Sequence, residues 1–428
     1  MKIVKQPSRS DWAAIIERPV IDQLELGKKV SRILSRVKTG GDRVLRKLTK
    51  DLDGVSVKKL AVSEPEIQSA IKEVPDELKQ AIRAARKNIE TFHAGQIHAE
   101  PVIETMPGIQ CWRRSVAIEK VGLYIPGGTA PLFSTVLMLG IPASLAGCRE
   151  IILCTPPRNN GTVDPAVLFA AREAGITKIF RVGGAQAIAG MAYGTESIPS
   201  VYKIFGPGNQ YVTCAKQLVQ AQGIAIDMPA GPSEVCVLAD DSADPAFVAA
   251  DLLSQAEHGN DSQVLLVSTS ESLVEKVKEE ISSQIETLPR KEFAAVSLEN
   301  SKAVILPDIN EATDLVNAYA AEHLILSCSN AEKLSQKVIN AGSVFIGHYS
   351  PESVGDYASG TNHTLPTNGY ARAYSGVSVD SFVKKITYQQ VSREGLLNIA
   401  TIVETMAQGE GLDAHARAVS IRRKKISV

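Results

Sequence analysis

KIFRVGGAQAIAGMAY at residues 178–193, followed by KIFGPGN at 203–209, is the stretch on which the fold reading turns. Lys178 to Val182 is a short apolar run with the composition of a buried strand. Gly183-Gly184 breaks it, and Ala185 to Tyr193 reads as a helix. The pattern then repeats: a strand at Lys203 to Phe205, the turn Gly206-Pro207-Gly208, and a helix from about Gln210 to Ala221. Upstream, Val116 to Tyr124 reads as a strand ending in the turn Ile125-Pro126-Gly127-Gly128. Glu150 to Cys154 is a strand and Ala166 to Ala174 a helix. Strands alternating with helices predict parallel βαβ units. Three strand–glycine–helix units predict an open, doubly wound sheet holding ligands at its strand C-terminal ends.

A second set of the same kind begins near Ser233. Glu234 to Leu238 is a strand. Asp244 is placed to cap a helix, Pro245 stands at its first position and Gly259 closes it. Gln263 to Val267, Ala303 to Leu306 and Ser343 to Ile346 are strands. Glu271 to Ile285, Glu311 to about Ala321 and Ala331 to Ile339 are helices. The fold class is therefore α/β, with two incomplete Rossmann-like, doubly wound domains and small helical N- and C-terminal appendages. Charged helical segments such as Val30 to Val37 and Pro75 to Thr91 fill the first hundred residues. From Arg393 the chain is helical and polar, and suited to packing on a neighbour.

At 428 residues the chain is long enough for two domains. Its 46 basic and 47 acidic residues balance to a net charge of −1, which gives no electrostatic case for nucleic acid or an anionic membrane. Arg422 to Lys425 is a basic exception, read as a solvated tail or a contact for a partner subunit. No stretch has the length of a membrane span, and the N-terminus has no signal-peptide core, so the expected location is cytoplasmic. The six cysteines lack CxxC spacing and read as small buried hydrophobes in a reducing compartment.

Seven histidines remain to be placed. His93 and His98 lie in a charged segment and read as surface or hinge residues. His348 has an equally plain reading. Gln255 and His258, three apart, share a helix face and can supply half of a tetrahedral metal site. A solvated helix end with His complementing the dipole is the plainer alternative, and spacing alone favours it. Glu322 and His323 stand where a helix gives way to a strand. Such a pair suits proton transfer in two different steps, and a buried, satisfied His is the alternative. Asp356 and His363 flank a loop of small polar residues running to Pro366, either a ligand loop or a plain surface loop. His415 lies in the polar tail, where it matters only if the tail enters an active site.

The motifs together carry a resemblance. Gly183 to Ala189, Phe205 to Asn209, Ala230 to Glu234, Ser254 to Gly259, Ala321 to His323 and Ser353 to Pro366 resemble the histidinol dehydrogenase family, in the family's order and with similar separations. Coverage runs from about residue 20 to the end, with every motif residue present. The resemblance implies one zinc per subunit on Gln255, His258, Asp356 and His415, the last from the partner of a homodimer. It implies NAD as the oxidant, and oxidation of L-histidinol through L-histidinaldehyde to L-histidine, the last steps of histidine biosynthesis. Zinc would orient the substrate. His323 would take the hydroxyl proton and Glu322 would activate water for the second oxidation. Ser233, His363 and Glu410 would contact substrate together with His323 and the zinc ligands, His363 and Glu410 being lent by the partner subunit. Tyr124, Gln186 and Asn209 would contact NAD. The domains this implies are 1–20, 21–122 with 237–377, 123–236 for NAD, and an exchanged helical tail at 378–428.

One feature stands apart from ordinary dinucleotide folds: no strand carries GxGxxG with an acidic residue about 20 positions later. Three other readings are open. A relative on the same scaffold would act on another small alcohol, such as a sulfonated diol. A zinc hydrolase would use Glu322 to activate water without NAD. A non-catalytic binding protein would leave the clustered His, Asp, Glu and Gln unexplained.

Overall fold

The computed structural model describes residues 1–18, 23–127, 131–229 and 231–426. Gly128 of the turn, Ala230 of the Ala230–Glu234 motif and the start of the 21–122 segment lie outside them. By its contacts the chain divides into two units, Met1–Ala94 with Ile118–Phe382, and Gly95–Ala117 with Val383–Val428.

The larger unit holds two parallel sheets. The five-stranded one runs in the order Lys178–Arg181, Glu150–Thr155, Lys120–Tyr124, Lys203–Phe205, Ala225–Ile226. The chain winds outward from Lys120–Tyr124 in one direction, then returns to that strand's other side. Its switch point therefore lies between Lys120–Tyr124 and Lys203–Phe205. The six-stranded sheet runs Lys2–Lys5, Lys302–Ile305, Gln263–Ser268, Glu234–Ala239, His323–Ser327, Ser343–Ile346, with the same reversal between Glu234–Ala239 and His323–Ser327. Both sheets carry apolar clusters on both faces, one including Leu123, Leu153 and Ile179 and its opposite Tyr124, Ile152 and Phe180. Strands buried on two sides read as continuous apolar runs, which is why they were legible.

Several expectations need correction. Val116 to Tyr124 is two strands. Ile109–Ala117 belongs to the smaller unit, and only Lys120–Tyr124 joins the parallel sheet. The N-terminal segment supplies an edge strand, Lys2–Lys5, paired with Lys302–Ile305. Helix Phe133–Ala146 gave no periodic signal because it is apolar all round; residues 134–143 are buried without a break. Helices Gln23–Asp53, Glu64–Glu73 and Asp76–Ala94 pack on helices flanking the five-stranded sheet.

The smaller unit is not wholly helical. Val383–Val391 pairs antiparallel with Ile109–Ala117 along nine residues, and Ile103–Met106 lies on the other side of Ile109–Ala117. Helices Arg393–Gly409 and Asp413–Ile426 follow as a hairpin.

The turn after Lys203–Phe205 is held from below. Gly206 adopts φ +130°, and a Cβ there would lie 2.0 Å from the Tyr124 carbonyl oxygen, so no other residue fits. Its N–H donates to Asp227 at 2.8 Å, and its carbonyl accepts from Lys216 Nζ at 2.9 Å. Lys216 and Asp227 form an ion pair with side chains 3% and 1% exposed. Lys216→Met would leave Asp227 buried without its counter-charge. The expected cost is about 3–5 kcal/mol of unfolding free energy, and a urea midpoint equal to wild type would contradict it.

Candidate active site

The larger unit contains a cavity of about 390 Å³ at the two switch points. Pro126, Gly206, Pro207 and Asn209 line it from the C-terminal ends of the five-stranded sheet. Ser233, Ser262 and Glu322 line it from the N-terminal ends of the six-stranded sheet, with His258 and His363. Ligand placement at strand C-terminal ends thus holds for one sheet only. The other sheet turns the N-terminal ends of its strands to the cavity, with Glu322 on the wall and His323 next to it.

Helix Ile309–Tyr319 starts at Asp308, whose Oδ1 accepts from Asn310 and Glu311 N–H at 2.8 and 3.2 Å. It ends earlier than expected because Ala320 takes the left-handed conformation at φ 55°. That reversal carries Glu322 and His323 to the start of the next strand. His323 Nδ1 lies 3.6 Å from Glu322 Oε2. The Glu322 carboxylate is fixed in turn by the Glu234 N–H at 2.9 Å.

His323 faces acceptors on both sides: the Glu234 carbonyl at 3.3 Å from Nδ1 and Asp356 Oδ1 at 3.1 Å from Nε2. Both nitrogens carry hydrogen in this arrangement. Burial opposes the charge, but Glu322 and Asp356 outweigh it and hold the imidazolium well above its ordinary range. Asp356 is the converse. Burial raises it, yet the His323 hydrogen bond and the charges of His323, His363 and His258 keep it below the usual carboxylate range.

Gln255 and His258 come from the end of helix Pro245–Ala256, capped as expected by Asp244 Oδ1 on Ala246 N–H at 2.8 Å. The helix stops before Gly259. His258 sits in the following turn, its N–H donating to the Gln255 carbonyl at 3.2 Å. His258 faces the cavity and keeps accessible surface although protein surrounds it. That crowding lowers its pKa against the pull of Asp356 and Glu322. Gln255 is fully buried. Its terminal amide stands 3.2 Å from both oxygens of Glu352, and with its nitrogen turned that way it donates to them.

The loop after Asp356 is anchored rather than free. His363 Nδ1 donates to the Asp356 carbonyl at 2.7 Å, so Nε2 accepts from Thr135 Oγ1 at 2.9 Å. Asn362 Nδ2 donates to the Met138 carbonyl at 2.6 Å and to His93 Nε2 at 3.3 Å. His93, expected at the surface, is fully buried and pins this loop. His348 bonds Ser327 Oγ at 2.9 Å, consistent with its plain reading.

The donors expected to hold zinc fit that ion in kind: an imidazole, a carboxylate and an amide oxygen within one unit. Among the described residues no three His, Cys, Asp or Glu side chains form a metal cluster by themselves, Asp356 being turned to His323. His415 and Glu410 lie in the smaller unit, exposed on its helical hairpin.

The residues expected to meet NAD are unevenly placed. Asn209 lines the cavity, but its Oδ1 caps helix Gln210–Gln220 through Tyr211 and Val212 N–H at 3.1 and 3.2 Å. Tyr124 and Gln186 are buried at 4% and 1% exposure. The Tyr124 hydroxyl accepts from Gly184 N–H at 3.0 Å, and burial pushes it up to about 12. Gln186 Nε2 donates to Asp53 at 3.4 Å, and burial raises that carboxyl to about 6. Glu352, Thr135 and Asp53 were missed in the sequence. None lies in a motif, and each meets the site only through folding. The six cysteines are free, and burial pushes Cys148 and Cys328 up to about 11 and 12, which leaves them unreactive.

Known proteins resemble this chain along nearly its whole length. The profile of the family described as histidinol dehydrogenase matches residues 16–423. The histidinol dehydrogenase of Bacteroides fragilis strain YCH46 is 60% identical over 426 residues, covering 100% of both chains. The chloroplastic histidinol dehydrogenase of Arabidopsis thaliana is 50% identical, covering 98% of this chain and 90% of its own. The crystal structure of histidinol dehydrogenase from Elizabethkingia anophelis superposes with a TM-score of 0.98 at 52% identity, covering 100% of this chain and 99% of that one.

Proposed function

The chain belongs to the histidinol dehydrogenase family, and from that premise we propose that it oxidises L-histidinol through L-histidinaldehyde to L-histidine. Family membership leaves the hydrolase and binding-protein readings without support. The observation that carries the proposal is the Glu322–His323 pair, 3.6 Å apart, beside Asp356.

His323 Nδ1 keeps its proton on the Glu234 carbonyl and so fixes the ring. Nε2 holds a proton toward Asp356 here; with that carboxylate engaged by zinc the ring would release it, and Nε2 would then take the hydroxyl proton as hydride leaves the alcohol carbon. Glu322 stands on the cavity wall with its carboxylate oriented by the Glu234 N–H. It would draw a proton from water attacking the aldehyde, and His323 would act again as the hydrate loses its hydride. Ser233 and His363 line the same cavity within reach of a small polar substrate. NAD would accept one hydride in each step, and the glycine-bounded turn at Gly206 to Asn209 would admit it. Zinc on Gln255, His258, Asp356 and a partner's copy of His415 would hold the substrate's nitrogen donors in place.

A homodimer with exchanged tails is supported by the smaller unit. It exposes Glu410 and His415 together with Leu397, Ile402, Met406 and Leu412. A cytoplasmic location is supported by the six unpaired cysteines. No helix of the described residues is long and apolar enough to cross a membrane.

The purified chain incubated with zinc, NAD and L-histidinol is expected to form two NADH per L-histidine, and to stop when a chelator is added. Absence of NADH from folded, metal-loaded protein would overturn the substrate assignment.

A further inference from the structure

Arg18 belongs to no motif of the site and precedes Glu234 by 216 residues, yet the fold brings the two together. The guanidinium donates from Nε and Nη2 to the two Glu234 oxygens at 2.6 and 2.7 Å. Nη2 also donates to the Tyr319 carbonyl at 2.8 Å, and the guanidinium carbon lies 4.2 Å from the centre of the Tyr319 ring. On the other side the Asn368 N–H donates to Glu234 Oε1 at 2.6 Å. A two-pronged pair of this kind fixes direction as well as distance, so the Glu234 side chain is held in one place. Both partners are largely buried, with side chains 14% and 3% exposed. Stability alone does not call for such a pair, because apolar residues of similar volume often serve as well or better. Its use lies in the Glu234 main chain. The N–H there orients the Glu322 carboxylate, and the carbonyl accepts from His323 Nδ1.

We propose that Arg18 is a positioning residue: by clamping the Glu234 side chain it fixes the two main-chain groups that orient Glu322 and His323. Glu234 opens its strand, Glu234–Ala239, so its main chain stands at the end of the sheet and not within it. The side-chain clamp supplies there the restraint that flanking strand residues supply further in. Arg18 also lines the cavity, so direct contact with a ligand is the competing role, and it would act on binding instead. The inference rests on the reading of Glu322 and His323 as the groups that move protons.

The test replaces both partners, Arg18→Met with Glu234→Met, which removes the clamp and leaves no buried charge alone. The urea midpoint is expected to stay at or above that of wild type. The first oxidation of L-histidinol is expected to lose about 10²-fold in kcat, the usual cost of a misplacement of about 1 Å among reacting groups. KM for L-histidinol and for NAD should stay within about threefold, since the loss is in orientation and not in binding. In a His323→Asn chain the same two replacements should change the first oxidation by less than about threefold, because the base they position is already gone. Should the paired replacement fail to fold, Arg18→Lys carries the same comparisons, since it keeps the charge and loses the fork. Wild-type kcat in the folded variant would overturn the inference. So would a loss that falls on KM, or one that repeats in full in the His323→Asn chain. A wild-type chain that forms no NADH from L-histidinol would overturn the catalytic reading itself, and the inference with it, before any variant is compared.

Discussion

His323→Asn is expected to lower kcat for both oxidations by about 10²- to 10⁴-fold, the usual contribution of a placed general base. Asparagine can keep a hydrogen bond to the Glu234 carbonyl or to Asp356, but it cannot take a proton at neutral pH. The loss should therefore fall on kcat rather than on substrate binding. Glu322→Gln is the informative contrast. If Glu322 serves only to activate water, the first oxidation is largely spared and the second is not. L-histidinal would then be converted far more slowly than L-histidinol is consumed. Assaying the two half-reactions separately with each variant reads this out. Equal losses in both steps for Glu322→Gln would remove its separate role. A His323→Asn enzyme within a few-fold of wild type would remove the base.

His323→Ala and His415→Ala chains, each inactive alone, are expected to regain about a quarter of wild-type activity when unfolded together and reassembled. Random pairing makes half of the dimers mixed, and an exchanged tail gives each mixed dimer one complete site. The physical ground is the separation of the donors between units: Gln255, His258 and Asp356 in the larger, His415 in the smaller. His415 stands on a helical hairpin that exposes Leu397, Ile402 and Met406, a surface suited to packing against another subunit. No recovered activity, with mixed dimers demonstrated by mass, would place His415 in the site of its own chain or outside any site.

Much of the site was legible as spacing. Gln255 and His258 stand three apart behind a capped helix, and Glu322-His323 closes another helix. What spacing left open was the choice between chemistry and a plain structural role. Gln255 can be a buried core amide, and His258 can be a helix-end cation. Asp356 and Glu352, nearly a hundred residues further along the chain, bear on that choice, and spacing does not record them. The same holds for His93. Its neighbours along the chain are charged and suggest a surface, whereas Asn362 and Ile89 enclose it in the fold.

The amino-acid sequence by itself determined the two parallel sheets. Strands buried on both faces must be apolar throughout, and glycine must follow them where backbone approaches backbone, as at Gly206. Both requirements are local and leave a local record. Only the tertiary structure decided the rest. Val383–Val391 is a strand because Ile109–Ala117 lies beside it, and nothing in its mixed polar composition demands a partner. The two sheets meet at the cavity by opposite edges, one by strand ends and the other by strand beginnings. Each side chain's partners across that cavity are set by long-range packing, which no periodicity records.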